Sequence, residues 1–292
     1  MMLLTEESMS WHTSFHIGGA ADYYAKVSDV DDLAQAMFFA GTRGIPVFVL
    51  GNGSNILVSD KGIRGMVIEN RLQNVCISPN GQVRADSGVP LAGLARFASR
   101  HGLAGLEWAA GIPGTLGGAI VANAGAFGSC IGDVLIWAGV LSEECTELVL
   151  CKEELSFGYR TSIFKDNEAK NEPAIILEAE LAMQPAPQAE VEARLKEFAA
   201  RRRQTQPAGP NAGSIFKNPP GDYAGRLIEA AGLKGYRIGD AQISPKHADF
   251  MVNRGNARAS DVAGLIDLTR VQVKDRFGIW LDLEIELVGE WH

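Results

Sequence analysis

The chain is short of cysteine, of basic charge and of long apolar runs, and each shortage excludes a class of function. Its four cysteines, Cys76, Cys130, Cys145 and Cys151, show no C-x-x-C spacing. Neither a zinc knuckle nor a redox pair is expected, and reduced thiols are the plain reading. Five histidines (His12, His16, His101, His247, His292) form no H-E-x-x-H or other ligand spacing, so no metal site is expected. A G-x-S-x-G elbow is missing too, which leaves a hydrolase reading without support. Lys and Arg number 27 against 35 Asp and Glu, a net charge of −8. Nucleic acid is therefore not an expected partner, because binding it through a basic face rests on neutralising phosphates. The one dense run, Arg201–Arg202–Arg203, reads first as solvated or locally paired charge, with contact to an anionic small molecule as the alternative. No apolar window approaches the length of a membrane span, and Met1–His16 has neither segment of a secretory signal. A cytoplasmic protein with no membrane partner is expected.

What the chain has in excess is glycine, 33 in 292 residues, where an average composition of roughly 7% gives about 20. There is no G-X-Y period, so collagen is excluded. Hydrophobic residues at 46% and charged residues at 21% are ordinary for a globular protein. The length suits two domains. The surplus glycine must then sit in loops where backbone comes close to something.

Apolar residues Leu33, Ala36, Met37 and Ala40 share one face of a helix predicted over Asp29 to Thr42. A strand at Pro46–Leu50 and the turn Gly51-Asn-Gly-Ser-Asn55 follow, then strands at Ile56–Val58 and Met66–Glu69. Pro90 is placed at the first position of a helix carrying Leu91, Leu94, Ala95 and Ala98 on one face. The stretch 111–128 is too apolar for a solvent loop and too rich in glycine for a stable helix. Residues 134–141, 147–151 and 174–183 read as strands. Pro185-Ala-Pro187 is the linker candidate, ahead of a helix with Val191, Leu195, Phe198 and Ala199 on one face. Further helices are expected at Tyr223–Ala231, with Asp222 as N-cap, and from Ser260 to Gly278. The last strand sets Leu281, Leu283, Ile285 and Leu287 against Asp282, Glu284 and Glu286. Two α+β units result, 1–184 and 185–292.

Gly51-x-Gly53-x-x-Ile56 fails the dinucleotide fingerprint, since its third glycine is Ile and a strand follows. It still offers unobstructed amides and small polar side chains from Gly51, Gly53, Ser54 and Asn55, a nest suited to a pyrophosphate. The apolar cluster from Gly111 suits the flat ring of a flavin. From the residues alone, an ordinary strand–strand turn and a core of tightly packed small residues stay open beside that reading. The candidate chemistry is carried by Tyr159-Arg160, Ser214 and Glu284, for which a surface salt bridge, a turn serine and a solvated strand face are the plain alternatives.

The ordered set of segments resembles the UDP-N-acetylenolpyruvoylglucosamine reductase family, in its short form without a tyrosine-loop insertion. The matching pieces are Thr13-Ser-Phe-His-Ile-Gly-Gly19, Leu50-Gly-Asn-Gly-Ser-Asn-Ile-Leu57 and Gly111-Ile-Pro-Gly-Thr-Leu-Gly-Gly-Ala119. They continue through Asn123-Ala-Gly-Ala126, Gly158-Tyr-Arg160, Asn211-Ala-Gly-Ser-Ile-Phe-Lys-Asn-Pro219 and Leu281-Asp-Leu-Glu284. The resemblance implies an α+β fold: a two-subdomain FAD-binding module of the vanillyl-alcohol-oxidase type over 1–184, its internal boundary near 58–70, and a smaller substrate domain over 185–292. It implies bound FAD, NADPH as hydride donor, and reduction of UDP-N-acetylglucosamine enolpyruvate in peptidoglycan precursor synthesis. A monomer is expected.

By the same resemblance Arg160, Ser214 and Glu284 are catalytic, with Ser214 the proton donor. FAD falls to Gly51, Asn52, Gly53, Ser54, Asn55 and Ile56, to Gly111, Ile112, Pro113, Gly114, Thr115, Gly117, Gly118 and Ala119, and to Asn123, Ala124 and Gly125. Tyr159, Lys217 and Asn218 are expected at the substrate. The chain departs from the family pattern at Ala20, at Gly239-Asp240-Ala241, and at Asp249, where the pattern has asparagine. Another flavin oxidoreductase of this fold, or a non-catalytic flavin-binding module, are the alternatives. Neither needs all three catalytic positions.

Overall fold

A computed structural model describes residues 1–142, 146–165 and 174–291. Cys145, His292 and 166–173, part of the 160–185 region where the tyrosine-loop insertion is expected to be absent, lie outside the described residues. The strand Ile63–Asn70 is buried at seven of its eight positions, the pattern of a strand covered on both faces. It pairs in parallel with Ala20–Val27 on one side and Val47–Leu50 on the other, and Met2–Ser8 closes the sheet antiparallel to Ala20–Val27. The helix Val30–Gly41 buries Leu33, Ala36 and Ala40, and Asp29 caps it by accepting the Asp32 N–H at 2.7 Å.

The chain leaves this sheet after Asn70 and enters an antiparallel one, ordered Glu147–Cys151, Leu135–Leu141, Ile175–Leu181, Val83–Asp86, Val75–Ile77. Pro90 proves to be the N-cap of the helix Leu91–Arg100, one position earlier than predicted. The glycine-rich stretch holds a helix after all, Leu116–Val121. Thr115 caps it through the Gly118 N–H at 3.3 Å, and burial of Leu116, Ala119 and Ile120 outweighs the poor helix propensity of Gly117 and Gly118.

The linker at 185–187 does not carry the chain away from this module. Gln184–Pro185 pairs with Leu103–Ala104, and the helix Gln188–Thr205 packs on the helix Leu91–Arg100. The second core gathers Phe216, Leu227, Ile243, Leu265 and Leu281, and with them Phe15, Ile17 and Leu57 from the N-terminal part. Asp60 also crosses over, accepting the N–H groups of Ala259 (2.8 Å) and Ser260 (3.0 Å) at the start of the helix Ala259–Phe277. Gly278 ends that helix as predicted.

Two expectations change in the second unit. The N-cap of the helix Ala224–Ala230 is Tyr223. Asp222 instead engages Arg226, and Asn218 Oδ1 accepts the Ala224 N–H at 3.0 Å. The last strand is only Glu286–Val288, paired in parallel with Ile56–Val58. Leu281–Ile285 runs extended against the 215–217 segment, with Leu283 bridged to Phe216. The predicted alternation holds through Ile285 and then slips, leaving Leu287 41% exposed and Val288 buried, because the chain changes partners there. Among the described residues no helix is long and apolar enough to cross a membrane.

Candidate active site

The two glycine clusters, some sixty positions apart in sequence, face each other. Asn52 Nδ2 donates to the Pro113 carbonyl at 2.7 Å, and a Cβ on Gly51 would sit 2.5 Å from Thr115 Oγ1. Gly53 turns with φ 57°, and a Cβ there would come within 2.3 Å of the His12 carbonyl oxygen. A Cβ would collide at either position, so the turn can lie this close to Thr115 and to the His12 backbone only with glycine there. Asn55 then ties this turn to the second unit: its Nδ2 donates to the Glu284 carbonyl at 3.0 Å, and its own carbonyl accepts the Glu286 N–H at 3.0 Å. Ile56 follows as the first residue of the paired strand. Ile112 packs against the core, and Gly117, Gly118 and Ala119 lie in the short helix.

Arg160 reaches the site from a left-handed backbone, φ 59°. Its Nε donates to Glu284 Oε1 at 2.7 Å and its Nη2 to the Gly125 carbonyl at 2.9 Å. Asn123, buried, holds the loop behind it: Nδ2 donates to the Gly158 carbonyl at 2.8 Å while Oδ1 accepts the Gly132 N–H at 3.1 Å. The residue next to it, Ala124, packs on the core of the first module. Ser214 opens a segment held between two others, bridged to Phe250 on one side, with the Ile215 carbonyl accepting the Glu284 N–H at 2.9 Å on the other. Arg160, Ser214 and Glu284 therefore line one cleft of about 440 Å³, together with Tyr159 and Asn218. Lys217 does not line that cleft, and its N–H is spent on the Asp282 carbonyl. Asn218 lines it while bracing its far wall, donating its N–H to the Tyr159 hydroxyl at 3.4 Å and accepting from the helix start at 224.

Residues 21–149 match the model of an FAD-binding domain, and residues 204–288 match that of the UDP-N-acetylenolpyruvoylglucosamine reductase C-terminal domain. UDP-N-acetylenolpyruvoylglucosamine reductase 2 of Symbiobacterium thermophilum is 46% identical over 97% of this chain and 91% of its own length. The reductase of Chloroflexus aurantiacus is 44% identical over 98% and 97%. The crystal structure of UDP-N-acetylenolpyruvylglucosamine reductase (MurB) from Thermus caldophilus superposes with a TM-score of 0.83 at 35% identity, covering 98% of both chains. The chain belongs to the UDP-N-acetylenolpyruvoylglucosamine reductase family. Residues 21–149 are accordingly an FAD-binding domain, and they contribute strands to both of the large sheets.

The residues present fit the flavin that this reductase fold binds. Beyond the 51–55 turn, Arg202 supplies a half-buried cation whose Nη1 donates to Gln206 Oε1 at 3.0 Å. Its Nε is enclosed without a hydrogen-bond partner, its Cδ side lies against Gly111, and its guanidinium is 5.9 Å from the centre of the Phe127 ring. Burial pushes its pKa down, as expected for a charge partly withdrawn from water. A dinucleotide's phosphates are the kind of group that would balance it. In the sequence, contact with an anionic small molecule was only the second reading of the run that contains this arginine. The signal was present, because Val191, Leu195, Phe198 and Arg202 follow one helical stripe. Asp249 was missed as a site residue: it lies on the cleft wall beside Ser214, and burial pushes its carboxyl well above the usual range.

Proposed function

We propose that this cleft reduces the enolpyruvyl double bond of UDP-N-acetylglucosamine enolpyruvate to give UDP-N-acetylmuramate, with NADPH as reductant, in peptidoglycan precursor synthesis. The observation that carries the reading is the meeting of Arg160, Ser214 and Glu284, from three distant parts of the chain, on one cleft beside the flavin cradle. The 51–56 turn, the 111–125 segment and Arg202 would hold FAD, which would supply the hydride-transfer chemistry between NADPH and the enolpyruvyl group.

The protein's own part is electrostatic and protonic. Arg160 presents a planar guanidinium, fixed by Glu284 and the Gly125 carbonyl, to the substrate carboxylate on which charge builds as the double bond is reduced. Glu284 shares the task by holding that guanidinium in place. Ser214 gives its hydroxyl proton to C2. A serine is a weak acid and can serve only against a strongly basic carbanionic centre, which is what an electron-rich C2 offers. Tyr159 and Asn218 form the outer wall against which the nucleotide sugar lies.

All three catalytic groups come from one chain, which supports action as a monomer. The substrates, a nucleotide sugar and NADPH, are cytoplasmic metabolites, which supports that location. NADPH oxidation by the flavin-loaded protein should depend on added enolpyruvyl substrate. Its absence in protein that carries flavin would remove the assignment. NADPH and substrate are expected to compete, because one cleft serves both, and simultaneous tight binding would refute that part.

A further inference from the structure

The carbonyl that orients Arg160 belongs to a small hairpin whose turn its own sequence does not favour. Gly125–Ala126 pairs antiparallel with Ser129–Cys130, Ala126 opposite Ser129 and Gly125 opposite Cys130. Only Phe127 and Gly128 lie between them, at φ 55° and 89°. A type I′ turn requires positive φ at both central residues, which is why Asn-Gly is favoured there. In that backbone the Cβ of a phenylalanine crowds the following carbonyl oxygen, and a bulky residue in it is an outlier. Turn chemistry is broken at this one residue, so the reason for a phenylalanine lies in what its ring touches.

The ring is clasped by the helix Gln188–Thr205. It stacks on Phe198 with ring centres 4.7 Å apart and planes 19° from parallel. The guanidinium carbons of Arg201 and Arg202 lie 5.2 Å and 5.9 Å from its centre, within cation–π range. These contacts fix the tip of the hairpin. Its base is fixed as well: the Ile131 N–H donates to the Ala124 carbonyl at 2.9 Å, and the Cys130 N–H to Asp133 Oδ2 at 2.8 Å. The two arms touch, since a Cβ on Gly125 would sit 2.5 Å from the Ser129 carbonyl oxygen. Between tip and base lies the Gly125 carbonyl, which accepts Arg160 Nη2 at 2.9 Å.

We propose that Phe127 is a positioning residue for Arg160: its ring pins the hairpin to the helix Gln188–Thr205 and so fixes the carbonyl that orients the guanidinium. This rests on Arg160 meeting the substrate carboxylate. Glu284 holds Nε from the second unit and the hairpin holds Nη2 from the first, so the two together leave the guanidinium one orientation. Phe127 does not line the cleft, and its effect on the reaction runs through the hairpin.

Phe127→Asn separates the ring from the turn, because Asn-Gly suits the turn better than Phe-Gly and offers nothing to stack. In the flavin-loaded full chain this variant should keep its far-ultraviolet circular dichroism spectrum. Per bound flavin, kcat should fall roughly tenfold to a hundredfold, the cost of a small displacement at the site, with KM changed less. Phe127→Tyr, which keeps the ring, should restore kcat. Phe198→Ala, which removes the other half of the stack, should repeat the loss. One readout needs no turnover. The Nε–H resonance of Arg160 in nitrogen-15 NMR spectra, assigned through its loss in Arg160→Lys, should exchange with solvent faster in Phe127→Asn and Phe198→Ala than in the wild type. In Phe127→Tyr it should exchange as slowly as in the wild type. A folded Phe127→Asn protein with wild-type kcat and an unchanged Arg160 resonance would overturn the proposal, as would a Phe127→Tyr protein as slow as Phe127→Asn. A flavin-loaded wild type with no substrate-dependent oxidation would instead remove the parent reading, and the Arg160 resonance would then decide the positioning by itself.

Discussion

Arg160 keeps a left-handed backbone that costs a residue with a side chain about 1–2 kcal/mol. Two hydrogen bonds and the Asn123 brace offset that cost, and the outcome is a guanidinium held in one orientation. Ser214→Ala should lower kcat by roughly 10²–10⁴-fold, the usual worth of a positioned general acid, while flavin content stays normal. Glu284→Gln should lower kcat by about 10²-fold or more, since it removes the charged partner that fixes Arg160. Steady-state NADPH oxidation checks both, and near-normal turnover in the Gln variant would remove Glu284 from the chemistry. At this scale the sequence was informative about groups that carry chemistry in their type and order. It was less so about Arg202 and Asp249, because an arginine in a basic run and an aspartate in a loop look solvated until packing is known. What makes each of them notable is withdrawal from water, which cannot be seen in a string of letters.

Helices with a clear apolar stripe, such as Val30–Gly41 and Ala259–Phe277, were legible, and their ends fell near the residues that cap them. The helix Leu116–Val121 was not, since its stability comes from burial against other elements rather than from its own residues. The alternation at the C-terminal end was read one pair too far for a related reason: register follows the partner strand, and the partner changes. The 51–55 turn is the element on which flavin binding should depend most. Gly53→Ala would hold alanine at φ 57° and drive its Cβ into the His12 carbonyl, so the turn must rearrange. The expected result is purified protein with much less visible flavin absorbance per chain but a largely unchanged far-ultraviolet circular dichroism spectrum.

For the whole molecule, length and linker composition pointed to two units, 1–184 and 185–292; two family models match residues 21–149 and 204–288. The interlocking between them was not visible. Phe15, Ile17 and Leu57 are buried in the second core, Asp60 caps one of its helices, and the helix Gln188–Thr205 stays with the first module. Long-range exchanges of this kind carry no local pattern. A fragment of residues 1–184 would expose those three apolar side chains to water, at about 1.5–3 kcal/mol each. It should be aggregation-prone and bind flavin poorly, as size-exclusion chromatography and flavin titration would show. A stable, flavin-loaded fragment would count against the interlocked description.

The hydrogen bond from Asn55 to the Glu284 carbonyl joins positions 229 residues apart. During synthesis the flavin turn therefore emerges long before the segment that will steady it. The first sheet can form on the ribosome, as early domains generally do, yet the turn stays without its partner strand until Glu286–Val288 is free to pair. Cofactor capture thus belongs to the last stage of the protein's biogenesis. A stalled or truncated chain would carry most of the cradle and retain little of the flavin.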